Sequence, residues 1–195
     1  MTRPARLARA LRLLLPAVLC ATVLSPLLGA APAQAAVPAK TTWLADVSKA
    51  MDGSQRYVDR RAAQGGKRLA VNLDIDNTSL ASHYDYGTPV RTVLNFARNA
   101  HQDHVAILFN TGRVVGDGRI ARARRQLVAA GYHVTEMCGR SSSSEGLAHS
   151  KQRCRRHFAD EGYTILANVG NRATDFSGHG YERAFRLPNY SNQLA

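Results

Sequence analysis

Four short runs of apolar, partly β-branched residues are the feature that most constrains the fold of this chain. They span residues 68–75, 105–109, 134–137 and 163–169, and a shorter fifth run follows at 184–187. Segments with helical spacing separate them, and strands that alternate with helices are typical of βαβ units. The sequence therefore predicts an α/β fold, a three-layer α/β sandwich with a central, mainly parallel sheet.

The helical segments follow from the 3.6-residue spacing of apolar side chains. Residues 41–64 predict two short helices interrupted at Gly53. A third helix is predicted from Thr88-Pro89 to residue 99, with proline at the first helical position. Further helices are predicted over 119–130 and 150–161.

Residues 1–35 have the composition of a secretory signal peptide. They carry four arginines and no acid, continue in an apolar run, and end in Ala33-Gln34-Ala35. The alternative is a membrane anchor, but Pro16 and Pro26 break a run that is short for a full span. We expect cleavage near Ala35, secretion to the extracellular space, and no integral membrane segment in the mature chain.

The mature chain is predicted to have a helical lead-in over 36–66 and one core domain over 67–195. Without the first 35 residues, basic side chains outnumber acids by eight. Such a charge favours anionic partners or substrates but does not choose among phosphate esters, nucleic acid and an anionic surface. The basic helix over 119–130 is interpreted as a solvated face, so no nucleic acid is expected.

Two cysteines, Cys138 and Cys154, remain after removal of the signal peptide. An exported chain meets an oxidising compartment, so the pair predicts a disulfide, with two free thiols as the alternative.

Polar residues with useful chemistry follow three of the apolar runs. Asp74 and Asp76 end the first, residues 110–113 (NTGR) follow the second, and residues 170–175 (GNRATD) follow the fourth. Ligands of an open parallel sheet bind beyond the carboxyl ends of its strands. The topology is therefore expected to gather these residues at one edge.

Two carboxylates as close as Asp74 and Asp76 stay ionised together only if a nearby cation offsets their repulsion. Mg²⁺ suits, because it prefers oxygen ligands and takes one or two carboxylates with water and phosphate. Asn171 and Asp175 arrive from the fourth strand to complete such a site. The phosphate-binding groups predicted at the same edge are Thr111, Gly112 and Lys151.

Four segments together resemble the motifs of a known superfamily. LDIDNT, FNTGR, Lys151 and NVGNRATDF are similar, in order, to the four motifs of the haloacid dehalogenase (HAD) phosphohydrolases. Residues 161–163 (EGY) and 185–190 (FRLPNY) resemble the secreted acid phosphatases of the class B and plant vegetative-storage type. The resemblance implies a HAD-like Rossmannoid core and hydrolysis of a small phosphorylated substrate.

The resemblance also implies a role for each motif. Asp74 would be the nucleophile that forms an aspartyl-phosphate, and Asp76 would protonate the leaving oxygen and then activate water. Thr111 and Lys151 would hold the phosphoryl group. Asp74, the backbone carbonyl of Asp76 and the fourth motif would bind Mg²⁺.

The fourth motif departs from the common GDxxxD pattern, because Asn171 stands where the first aspartate is usual. We expect metal binding that is weaker or more tolerant of pH, not absent. The GNRATD form also resembles lipin-type phosphatidate phosphatases. A lipid-phosphate phosphatase and a non-catalytic phosphate-binding or storage protein are therefore kept as alternatives to a secreted Mg²⁺-dependent acid phosphatase.

The intervals between the motifs are filled by predicted core helices, strands and short loops, so no large cap domain is expected. An open site would then be shaped by the loop at 79–87 and by the lead-in helices. Possible substrate contacts are Arg113, His83 and Tyr84. The sequence does not identify the physiological substrate, the pH optimum or the oligomeric state.

Overall fold

The computed structural model describes residues 37–116 and 118–194, and these residues form one compact unit. The predicted signal peptide, residues 1–35, lies outside them. The five strands are β1 Leu69–Leu73, β2 Ala106–Val114, β3 Glu136–Arg140, β4 Thr164–Gly170 and β5 Arg183–Arg186.

Five α-helices and one 3₁₀-helix surround the strands. They are α1 Lys40–Ala50, α2 Ser54–Ala63, α3 Arg91–Gln102, α4 Arg119–Ala129, α5 Leu147–Asp160 and the 3₁₀-helix Ala173–Phe176. Within the described part of the chain, no helix combines the length and apolarity needed to cross a membrane.

The five strands form one parallel sheet in the order β3-β2-β1-β4-β5. Strand β1 lies at the centre, where Leu73 is in register with Phe109 of β2 and Val169 of β4. The chain moves outward from β1 through β2 to β3 and then returns to β4 on the other side of β1. The strand order thus reverses beside β1, and such a switch point is where open α/β sheets bind ligands.

Successive strand residues point to opposite faces of the sheet, and each face has its own apolar cluster. Val71 and Leu73 belong to the larger cluster, which includes side chains from α1, α2, α3 and α4. Ala70 and Leu108 belong to a smaller cluster that includes Phe158 of α5. The three-layer α/β sandwich predicted from the sequence is therefore confirmed.

A disulfide joins Cys138 of β3 to Cys154 of α5, as predicted. It ties α5 to the edge strand of the sheet. Because α5 also carries Lys151, the bond fixes the helix near the carboxyl edge where the polar motifs lie.

Several element boundaries differ from the sequence predictions, and three of these differences concern the segments around the site. Strand β2 continues to Val114, so the NTGR motif lies inside the strand rather than after it, because β3 pairs with it as far as Val114. Helix α3 begins at Arg91, and Pro89 instead forms an isolated antiparallel bridge with Leu80. Helix α5 begins at Leu147, which places Lys151 in its second turn.

Candidate active site

A cavity of about 290 Å³ opens at the carboxyl edge of the sheet. Strands β2 and β3, the segments after β1 and β4, and helix α5 all contribute to its wall. Its charged lining residues are Asp74, Asp76, Asp175, Lys151, Arg113, Arg140 and Arg172. Gly112, Leu147 and Thr174 complete the lining.

Lys151 is only 3% exposed, and its ammonium group lies between the carboxylates of the site. Its Nζ donates to Asp74 Oδ1 and to the backbone oxygen of Asn110, each at 2.5 Å, and lies 2.7 Å from Asp175 Oδ1. An ammonium has three hydrogens, so the three oxygens match its donors. Burial lowers the pKa of Lys151, but the two carboxylates outweigh burial and the pKa is raised, which keeps the side chain charged.

Lys151 lies on the buried face of helix α5, and this face is directed toward the sheet and the loop after β4. Arg155, one turn further along, is fully buried and donates to the backbone oxygens of Asp175 at 2.8 Å, His179 at 2.9 Å and Ser177. The same face of α5 therefore carries Lys151 and, through Arg155, binds the loop that follows β4. This pairing of helix and loop sets the position of Asp175 relative to Lys151.

The carboxylate of Asp175 is held on both of its oxygens. Oδ1 faces Lys151, and Oδ2 accepts the backbone N–H of Arg172 at 2.9 Å. Its backbone oxygen also accepts the side-chain amide of Asn168 at 2.9 Å. Gly170 allows this close packing, because a Cβ at that position would lie 2.6 Å from the Cβ and Cγ of Asp175.

The second carboxylate of the first motif, Asp76, is paired with Arg113. The guanidinium donates from Nε to Oδ2 at 2.8 Å and from Nη2 to Oδ1 at 2.6 Å, and Ser82 Oγ donates to Oδ1 at 2.6 Å. Burial alone would raise the pKa of Asp76, but the hydrogen bonds and charge of Arg113 together hold it below its usual value. Arg113, predicted as a substrate contact, thus lines the cavity with its guanidinium engaged by Asp76.

The environment of Asp74 is different, although only one residue separates it from Asp76. Burial is the main cause that raises the pKa of Asp74 to about 7, the charges of Asp175 and Asp76 add to it, and Lys151 opposes it. A second cation beside Asp74 would lower this pKa and keep the carboxylate ionised at neutral and acidic pH.

Thr111 and Gly112 of the second motif, both predicted to bind phosphate, lie in different positions relative to the cavity. Gly112 lines the cavity, where Leu147 packs 3.0 Å from the position that a Cβ would take. Thr111 is fully buried and is not part of the lining, and its hydroxyl accepts the backbone N–H of Arg113 at 3.2 Å. The structure therefore places Thr111 as a support of the strand end beneath the cavity.

The side chain of Asn171 gives a structural test of the predicted metal site. Asn171 is 5% exposed, and neither its amide oxygen nor its amide nitrogen has a hydrogen-bond partner among the described residues. A buried, unpartnered amide oxygen needs a ligand. Asn171 itself does not line the cavity, although its neighbours Arg172, Thr174 and Asp175 do. Carboxylate, amide and backbone oxygens are the donor types that Mg²⁺ prefers, so the predicted residues fit the ion by their chemistry.

Asp175 also has an oxygen available for the ion, because its Oδ1 is ion-paired with Lys151 but has no hydrogen-bond partner among the described residues. Over residues 37–116 and 118–194, no group of three or more His, Cys, Asp or Glu side chains is arranged to hold a metal. The predicted site would use amide and backbone oxygens as well as carboxylates, so it is not a group of that kind.

His83 and Tyr84 do not line the cavity. The ring of Tyr84 stacks on Trp43 of α1 at a centroid distance of 4.9 Å, and its hydroxyl donates to the backbone oxygen of Pro38 at 2.8 Å. The ring of His83 packs edge-on against Tyr84. Both side chains thus join the loop after β1 to the lead-in helix rather than face the site.

Sequence reasoning missed several residues of the site. Arg140 and Arg172 line the cavity, and Arg155 and Asn168 support Asp175 from behind. The signal for Arg155 was weak, because it lies four residues after Lys151 on the same helix face but arginine is rarely buried. Arg172 belongs to the GNRATD segment that was expected at this edge, but no role was predicted for its side chain, and nothing in the local sequence distinguished Arg140 from a surface arginine.

Comparison with known proteins agrees with this geometry. The family model described as HAD superfamily, subfamily IIIB (Acid phosphatase), matches residues 87–193. The matched segment begins after the LDIDNT motif, so the placement of Asp74 and Asp76 rests on the structure and on the motif itself. No curated protein matches the chain.

Solved structures with a similar fold include the class C acid phosphatase from Bacillus anthracis. It is 17% identical with a TM-score of 0.59, and the match covers 77% of this chain and 79% of that one. The tungstate-bound crystal structure of the class C acid phosphatase from Bacillus anthracis is 15% identical with a TM-score of 0.57, at the same coverage. At these identities, the similarity concerns the fold.

The contact between Gly170 and Asp175 gives a test of the site geometry. In Gly170→Ala the new methyl group should displace Asp175 from Lys151, and we expect kcat/KM for p-nitrophenyl phosphate to fall about 10- to 100-fold. Gly146→Ala is the matched control, since no atom lies within 4 Å of its Cβ position. Equal activity of the two variants, with equal thermal midpoints, would show that Asp175 need not pack against Gly170.

Proposed function

Because the chain belongs to subfamily IIIB of the HAD superfamily, the acid phosphatases, we propose that it hydrolyses phosphomonoesters through a phosphorylated Asp74. The family makes the protein a phosphoric monoester hydrolase, and the covalent route is our proposal. The observation that carries it is the position of Asp74, whose carboxylate faces the cavity within 2.5 Å of Lys151 while Asp76 lines the same cavity.

In the first step a carboxylate oxygen of Asp74 attacks phosphorus. The bond between phosphorus and the ester oxygen breaks, and Asp76 gives its proton to the departing alkoxide. The products are the phosphorylated Asp74 and a free alcohol. Because Arg113 lowers the pKa of Asp76, the protonated form of Asp76 is favoured only under acidic conditions, which agrees with an acid phosphatase.

In the second step Asp76, now a carboxylate paired with Arg113, takes a proton from water. The resulting hydroxide attacks phosphorus, and the bond between phosphorus and Asp74 breaks to release inorganic phosphate. Asp74 returns to the carboxylate and Asp76 to the acid. The hydrogen bonds from Arg113 and Ser82 hold Asp76 in one orientation for both proton transfers.

Lys151 supplies positive charge next to the attacking oxygen throughout. A phosphoryl group in transfer carries negative charge spread over its oxygens, and a fixed ammonium in a buried site stabilises that charge. The ion pair with Asp175 keeps Lys151 from moving with the substrate.

We include Mg²⁺ in the proposed function, since phosphatases of the HAD superfamily generally use a divalent metal. Asp74, Asn171, Asp175 and the backbone carbonyl of Asp76 would hold it. When bound, the ion supplies charge that keeps Asp74 ionised and neutralises phosphoryl oxygens. Asn171 supplies an oxygen without the charge of the usual aspartate, and this favours weaker binding.

Secretion belongs to the proposal as well. It is supported by the basic, apolar and Ala-x-Ala pattern of residues 1–35, and a disulfide is typical of exported proteins. When the full chain is expressed in an exporting host, we expect the protein in the medium to begin near residue 36. An unprocessed N-terminus, read by intact-mass spectrometry, would contradict this part of the proposal.

The nucleophile can be tested directly. With Mg²⁺ present, we expect the full chain to hydrolyse p-nitrophenyl phosphate within pH 4 to 8 and Asp74→Asn to abolish turnover, because the amide is not a nucleophile. The control is Asp103→Asn, the same exchange at an exposed position in the turn after α3. A wild-type chain that is inactive across this range would refute the enzyme, and an active Asp74→Asn would refute the route.

The metal assignment predicts the effect of restoring a carboxylate at position 171. Asn171→Asp should tighten Mg²⁺ binding about tenfold, because a charged oxygen ligand replaces a neutral one. The measurement is the rise in thermal midpoint with Mg²⁺ concentration, which reports binding without turnover. Asn99→Asp adds the same charge at an exposed site on α3 and serves as the control. Identical Mg²⁺ titrations for wild type and Asn171→Asp would exclude residue 171 as a ligand.

A further inference from the structure

Two arginines of the cavity have no carboxylate partner in the part of the chain that the structure describes. Of the four cationic side chains in the lining, Lys151 pairs with Asp74 and Asp175, and Arg113 pairs with Asp76. Among residues 37–116 and 118–194, neither Arg140 nor Arg172 forms an ion pair. The three carboxylates of the lining are thus already used by the other two cations.

The partners of these arginines are backbone carbonyls, which orient a guanidinium without neutralising it. Arg140 donates from Nε to the oxygen of Glu145 at 2.8 Å and from Nη2 to the oxygen of Ser143. Arg172 makes one long contact, from Nη2 to the oxygen of Leu194 at 3.4 Å. Each side chain therefore keeps N–H groups without a partner in the described chain and a full charge that an incoming anion can meet.

The sheet places the two arginines on opposite sides of Asp74. Arg140 ends β3 and Arg172 follows β4, while β1 lies between them in the strand order. Strand β3 is two positions from β1, so their ends lie about 10 Å apart. A phosphoryl group bound at Asp74 is much smaller than that distance, so Arg140 is placed to meet a different part of the substrate.

We propose that the site is built for phosphomonoesters that carry a second anionic group, a phosphate or a carboxylate, and that Arg140 binds this group. The proposal rests on the proposed phosphatase function and names its substrate class. A cavity of about 290 Å³ has room for a substrate the size of a small sugar phosphate. Charge-assisted contacts of a guanidinium with phosphate or carboxylate give both affinity and orientation.

Two matched substrate pairs test the proposal on the full chain with Mg²⁺. Fructose 1,6-bisphosphate is compared with fructose 6-phosphate, and 3-phosphoglycerate with glycerol 3-phosphate, so that the second anion is a phosphate in one pair and a carboxylate in the other. We expect kcat/KM to favour the doubly anionic member about tenfold in at least one pair. Preference in one pair alone identifies the type of second anion.

Variants then assign the preference to Arg140. Arg140→Gln should reduce the ratio of kcat/KM values about tenfold, and Arg140→Lys should keep part of the ratio because it keeps the charge. Arg60→Gln is the control, since Arg60 is exposed in the last turn of α2 and does not line the cavity. Thermal midpoints show that each variant folds.

The outcomes separate this inference from the proposed function. If Arg140→Gln slows both members of each pair equally, Arg140 serves the reacting phosphoryl group and the inference is wrong, and it is equally wrong if the wild type shows no preference. Calorimetric binding of each pair to Asp74→Asn gives a second readout that needs no turnover. Preferential binding that depends on Arg140, in a chain whose wild type hydrolyses nothing, would support the anion site while refuting the phosphatase.

Discussion

The buried contact of Lys151 with Asp74 and Asp175 is the interaction on which the site depends. Taking an ammonium and carboxylates out of water costs several kcal/mol per ion, and only close, hydrogen-bonded pairing offsets that cost. The contact forms only when the end of β1, the loop after β4 and the second turn of α5 meet. The Cys138–Cys154 disulfide and the buried Arg155 hold α5 in that position. The packing around the site thus keeps Lys151 within ion-pair distance of the two carboxylates.

The inner part of the cavity holds one more negative than positive charge. Asp74, Asp76 and Asp175 face Lys151 and Arg113, and the remaining negative charge adds to the burial that raises the pKa of Asp74. This imbalance is why a divalent cation fits: it would reverse the sign and make the site receptive to a phosphoryl dianion.

The sequence was informative where one pattern determines one element. The apolar runs predicted all five strands, and the position of polar motifs at strand ends predicted the functional edge, because both depend on local periodicity and on the rule for parallel sheets. It failed where partners distant in sequence decide the outcome. Strand β2 continues through NTGR because β3 pairs with it, and Arg155 is buried because three carbonyls from another loop receive it.

The same distinction explains why the sequence predicted no role for Arg140 or Arg172, although both line the cavity. Tyr84, which the sequence suggested as a substrate contact, packs on Trp43 instead, so an aromatic wall does not form there. The described chain passes from motif to motif through core helices and short loops, and no separate cap domain covers the cavity. The described residues leave the cavity open on its outer side, and the charge that its rim presents is therefore one means by which the site can select a substrate.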